Sequence, residues 1–177
     1  MKRKLKVDLG ELALALANDS YEMRYYLDLE TGKILLVTDE SARLLEDIYD
    51  EIYDGEDNRV VSLEAYLDDH DLYKWQKEEL LEADKVEQGY GSRYIRVEQD
   101  DPHADYNDME SFIWTVEDEE LAARLSRAIQ GRGAFRRFRD VVFEDPDVLD
   151  AWYAFKDECE QQRLEEWLEA NDIEPIT

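Results

Sequence analysis

Six arginines, Arg124, Arg127, Arg132, Arg136, Arg137 and Arg139, fall between Leu121 and Arg139 with no carboxylate among them, in a chain that carries 47 acidic residues against 21 basic ones. Four of them crowd into the stretch QGRGAFRRFRD, residues 130–140. Two chemistries fit such a cluster. Guanidinium groups pair with carboxylates, which this chain supplies in excess, so the first reading is internal or surface ion pairing. The second is an anion site for phosphate, a nucleotide or a carboxylate, formed by Arg132, Gly133, Arg136, Arg137 and Arg139 with free amides at the start of a helix. On a helix beginning near Arg132, Phe135, Phe138 and Val142 form an apolar stripe and Arg132, Arg136 and Arg139 a neighbouring basic one. Gly131 fits the left-handed stop of the preceding helix, and Gly133 allows close approach of the backbone. G-x-G without a preceding strand is not a dinucleotide motif.

Other reactive residue types are not organised. His70 and His103 stand 33 positions apart, outside any His-x-x-x-His or Glu-x-x-His spacing, so they point to structural or surface roles. A calcium loop starting at Asp50 would place Ile52 at its third position and Val61 at its twelfth, and neither coordinates a cation. Asp68–Asp71 reads as a solvated charge run at an exposed turn. Cys159 lies in a helical pattern between Glu158 and Glu160, which raise its pKa, and its spacing with Trp152 and Phe155 places all three in a helical core face. Serine occurs in no G-x-S-x-G context, and carboxylate pairs are too numerous to single out an acid and a base. No catalytic residue, metal ligand or cofactor emerges, and the expected function is non-enzymatic binding.

The elements that hold these residues follow from spacing and punctuation. Asp8 is a candidate N-cap for a short helix carrying Leu9, Leu12, Ala13 and Leu16. RYYLDLETGKILLVT gives two β-rich runs around Thr31-Gly32, a hairpin. Leu45, Ile48, Tyr49 and Ile52 recur at helical spacing over it, with Gly55 and Asp57-Asn58 as the stop. Helix follows from Ser62, with a break near residues 68–71, and SRYIRVEQ alternates as a third strand. The remainder is helical: DYNDMESFIWTV, then EDEELAARLSRAIQ behind a capping-box-like start at Thr115 and Asp118, then the arginine segment, then a helix opened by Pro146. The expected fold is α+β, a small antiparallel sheet with several helices and a helical C-terminal half, in one domain over residues 1–177.

Composition bounds the partners. The chain has 177 residues, 44% of them hydrophobic, 20 aromatics and a net charge of -26, enough apolar material for a sizeable core. That charge repels phosphate backbones and anionic membranes, so direct nucleic-acid and membrane binding are not expected. The acidity suits a solubility surface, a high-salt cytoplasm, for which eight lysines against 13 arginines is suggestive, or mimicry of nucleic acid toward a basic protein. A protein is the expected partner, with a small anionic ligand as the alternative. Apolar runs are too short to span a bilayer, MKRKLKVDLG lacks a secretory apolar region, and one cysteine cannot form an internal disulfide; together these give a cytoplasmic expectation.

YYLDLETGKI, MESFIWTV, AIQGRGAFRRFRDVV, WYAFKDE and EWLEANDIEP, in that order, resemble an uncharacterised family of small acidic bacterial proteins. The likeness covers most of the chain and is weakest from Gly55 to Tyr90; the arginine segment is its most specific element. The resemblance implies a bacterial, cytoplasmic, single-domain protein and carries over no catalytic residue.

Overall fold

Asp8 stands in extended conformation and its carboxylate accepts the Glu11 amide at 2.9 Å. This satisfies an amide that helix geometry leaves bare, and α1 (Leu9–Leu16) starts there, burying Leu12, Ala15 and Leu16. The structure, a computed structural model, describes residues 1–53, 61–99 and 101–176. Two compact units are present: Met1–Glu98 with the residues from Asn171 onward, and Gln99–Ala170.

In the first unit, β1 (Arg3–Lys6) precedes α1, and β2 (Met23–Asp28) and β3 (Ile34–Thr38) form the expected hairpin, Leu27 facing Ile34 and Met23 facing Thr38. Gly32 turns it with φ +75°, and a Cβ there would lie 1.9 Å from the Lys6 carbonyl oxygen, so both conformation and space demand glycine. The expected third strand, β4 (Tyr94–Val97), pairs antiparallel with the other edge of β2, giving the order β3-β2-β4. Three helices accompany the sheet, α2 (Asp39–Tyr53), α3 (Leu63–Asp68) and α4 (Lys74–Gly89). The break between α3 and α4 falls at the aspartates anticipated for it. Tyr26, Val37, Leu45, Ile48, Leu67, Leu80 and Tyr94 belong to one buried cluster, so sheet and helices share the apolar faces that spacing assigned them. Gly55, Asp57 and Asn58, expected to stop α2, lie outside the described residues.

One pairing was not anticipated. β5 (Ile173–Ile176) lies parallel to β1, with Arg3 opposite Ile173 and Lys4 opposite Glu174, as a separate two-stranded sheet.

The second unit is helical: α5 (Ala104–Thr115), α6 (Glu119–Ala128), α7 (Ala134–Val142) and α8 (Pro146–Ala170). The capping box expected at Thr115 is absent. Asp118 alone caps α6, accepting the Glu120 and Leu121 amides at 3.0 and 3.1 Å, while the Thr115 hydroxyl donates to the Phe112 carbonyl at 2.7 Å. The core is aromatic. The ring of Phe112 meets Phe138, Trp152 and Phe155 at centroid distances of 6.1, 5.3 and 5.6 Å, and Phe138 meets Trp152 edge to face at 4.8 Å, contacts that add to the burial of their area. The architecture is α+β with a helical C-terminal half. No helix among the described residues is long and apolar enough to cross a membrane.

Candidate functional site

The arginine segment divides into residues that build a turn and residues that border a cavity. α6 finishes with the Ile129 amide donating to the Leu125 carbonyl at 3.2 Å, and the chain then passes through Gly131 (φ +71°) and Gly133 (φ +77°) before α7 begins. Arg132 therefore sits in the turn between two left-handed glycines. The expectation of a helix starting near Arg132 is corrected: Gly133 occupies the N-cap, and Arg132 does not continue the stripe of Arg136 and Arg139.

Arg137 folds back over this turn. Its Nε donates to the Ala128 carbonyl at 2.9 Å, Nη1 donates to the Arg132 carbonyl and Nη2 to the Gln130 carbonyl. The Tyr106 hydroxyl donates to the neighbouring Ile129 carbonyl at 3.1 Å. These carbonyls lie where a helix end leaves acceptors bare and where its dipole favours a cation. A Cβ on Gly133 would approach Arg137 Nη1 to 3.0 Å, so the glycine also leaves room for the guanidinium. The expected internal role is thus met by carbonyl oxygens instead of carboxylates. Arg124 does follow the carboxylate pattern, with Nη2 2.6 Å from Glu144 Oε2, and this bond raises its pKa.

Arg136 and Arg139, one turn apart on α7, border a cavity of about 470 Å³ within the second unit. Its wall includes the rings of Phe138 and Trp152 with Met109 from α5, and its rim carries the exposed rings of Phe135, Phe143 and Tyr153. Lys156 of α8 and Asp105 of α5 complete it. Among the described residues, neither Arg136 nor Arg139 makes a hydrogen bond or ion pair with a carboxylate, and Asp105 lies beyond ion-pair distance of any cation. Among the described residues, the ion partner of Lys156 is Glu160, 3.9 Å away along the helix. Of the five residues anticipated for an anion site, the fold brings Arg136 and Arg139 to the cavity, places Arg137 against carbonyls and leaves Arg132 and Gly133 in the turn. Asp105, Met109, Phe143, Tyr153 and Lys156 were missed. The available signal was that Tyr153 and Lys156 repeat the three-residue spacing of Arg136 and Arg139, one position beyond the core stripe of Trp152 and Phe155.

In the same unit, Arg163 Nη1 donates to Asp108 Oδ1 at 2.9 Å, the carboxylate being almost wholly buried. Burial first, and the Asp108 charge second, push the Cys159 thiol upward; the direction and a smaller contribution from Glu158 were anticipated, while the larger carboxylate contribution comes from another helix. The first unit has a cleft of about 540 Å³ edged by Lys33, Glu82, Asp84, Lys85 and the Asp28–Arg93 pair. Its lining carries both cations and carboxylates, so no single ligand charge is favoured there.

A family model described as "Uncharacterised protein family (UPF0158)" matches residues 60–177. The chain belongs to this family. The UPF0158 match takes in the whole of the second unit, with the arginine turn and the cavity, and bears out the resemblance carried by the arginine segment. A bacterial relative, "UPF0158 protein PA5073" of Pseudomonas aeruginosa, is 28% identical over 173 residues, spanning 98% of this chain and 88% of its own. No solved structure matches the chain.

Proposed function

We propose that this UPF0158 protein is a non-enzymatic binding protein whose second unit takes a singly charged anion with an apolar body into the cavity bordered by α5, α7 and α8. The observation that carries this reading is the state of Arg136 and Arg139. In a chain with 47 acidic residues, both stand at an aromatic cavity with no carboxylate partner among the described residues. Guanidinium planes offer paired donors to a carboxylate, and Trp152 with the exposed rings of Phe135, Phe143 and Tyr153 offers apolar surface to the rest of the ligand. A mostly apolar cavity of this size with a few convergent charges is the usual form of a small-molecule site.

Charge favours a carboxylate over phosphate or a nucleotide. The net charge of -26 repels each added negative charge on an approaching ligand, and Asp105 on the rim does so at short range. On this reading the acidic exterior keeps polyanions out of the cavity.

Titration calorimetry and thermal scans with phenylpropionate and octanoate, beside inorganic phosphate and ATP, test this. The apolar carboxylates are expected to bind and raise the melting temperature by mass action, and Arg136→Gln/Arg139→Gln is expected to abolish both effects. Absence of binding by either carboxylate at millimolar concentration, or equal binding by the double variant, overturns the proposal.

A further inference from the structure

We infer that the ligand of this cavity is a zwitterion of the hydrophobic amino-acid type, its carboxylate on Arg136 and Arg139, its ammonium on Asp105 and its side chain against Trp152 and the exposed ring of Phe135; this rests on the carboxylate reading above. The observation behind it is the placement of Asp105. A carboxylate lining a cavity with two arginines and a lysine has cations at hand, and although exposed pairs of this kind gain little in water, the same groups gain more from a ligand that excludes water between them. Here Asp105 makes no ion pair with Arg136, Arg139 or Lys156, although all four line the same space, and its charge acts only at longer range on Arg163, which is held by Asp108. Two arginines and a carboxylate therefore line one space without neutralising one another.

A simple carboxylate answers only half of that pattern. It gains the arginines and meets repulsion from Asp105. Adding an ammonium converts the repulsion into a second ion pair without adding net charge, so the field of the acidic exterior no longer opposes entry. A free amino acid carries both charges in one molecule and so answers both halves. A cavity of about 470 Å³ suits a small molecule of this kind.

The test is a ligand series on the full chain by titration calorimetry. Free phenylalanine carries both charges, phenylpropionate lacks the amine, and phenylalaninamide lacks the carboxylate. Phenylalanine is expected to bind about tenfold or more tighter than either, which corresponds to roughly 1.4 kcal/mol. Asp105→Asn is expected to erase the advantage of phenylalanine over phenylpropionate while leaving phenylpropionate binding unchanged or tighter. Equal affinity of phenylalanine and phenylpropionate for the unaltered chain overturns the zwitterion and leaves the carboxylate reading standing. No binding by any of the three overturns both. A variant that weakens phenylalanine and phenylpropionate by the same factor assigns Asp105 a structural role and also overturns the inference. Should Asp105→Asn fail to fold, Asp105→Ser replaces it, and the series on the unaltered chain decides by itself.

Discussion

Arg93 grips Asp28 with two parallel hydrogen bonds, Nε to Oδ1 at 3.0 Å and Nη2 to Oδ2 at 2.8 Å, and so ties the turn of the hairpin to the start of β4. Asp28 is buried, and the same carboxylate accepts the Glu30 amide at 2.9 Å and the Thr31 hydroxyl at 2.8 Å. Burial opposes its ionisation, but the bonds from Arg93, Glu30 and Thr31 outweigh that and hold its carboxyl well below the usual carboxylate range.

Asp28→Asn should therefore lower stability at neutral pH by about 2–4 kcal/mol, since it breaks a buried pair and turns an amide toward a guanidinium. The sign of the pH effect follows from the depressed pKa. Stabilisation is complete above the unfolded-state value near 4 and is lost as pH falls toward the folded one. Urea titrations of both proteins from pH 7 down to about pH 2 should show the difference between them shrinking below about pH 5; a constant difference would mean that the charge of Asp28 is immaterial.

Arg137 and its neighbour should behave oppositely. Arg137→Gln removes the donors to the Ala128, Gln130 and Arg132 carbonyls and should cost about 1–2 kcal/mol. Arg136→Gln/Arg139→Gln breaks no carboxylate bond and should stay within about 0.5 kcal/mol of the parent chain. Chemical denaturation of the two variants checks this, and equal losses would contradict the division of the segment.

Cys159 should react slowly. With its thiol pushed up by burial and by Asp108, alkylation by iodoacetamide at pH 7–8 should run slower than that of a free cysteine. Its rate should keep climbing above about pH 9, because the thiolate is the attacking form. Asp108→Asn should speed the reaction at a given pH if the protein stays folded.

Added sodium chloride should raise the melting temperature. A net charge of -26 opposes the compact state by self-repulsion, and the screening length falls from about 10 Å at 0.1 M to about 3 Å at 1 M. A flat profile would mean that the carboxylates are spread too widely to repel.

The parts of this molecule legible in its sequence are those decided by neighbours along the chain. Thr31-Gly32 marked the hairpin because a positive φ is a local demand, and Asp8 marked a helix start because the amide that donates to its carboxylate lies only three residues on. The arginine cluster was visible as composition, yet its split was not. The acceptors of Arg137 are backbone carbonyls, which every residue possesses, so no side-chain pattern announces them. The cavity needs Asp105 on α5, Arg136 and Arg139 on α7, and Lys156 on α8 to converge, and spacing within one helix is silent about convergence between three. β1 and β5 were missed for a related reason. Four residues alternating about Leu5 carry little strand signal, and what fixes them is a partner far along the chain.

That pairing sets an order of events during synthesis. Arg3 meets Ile173, and every residue of the second unit is made between them. At ribosomal rates of about 5–20 residues per second, β1 waits roughly 10–30 s for its partner strand. The helical unit, whose contacts are local and quick to form, can be complete before the first unit receives its last strand. Until then β1 presents unpaired amides and carbonyls, and its residues Arg3, Lys4 and Lys6 put positive charge along that open edge, the device that keeps exposed strands from joining the wrong chain.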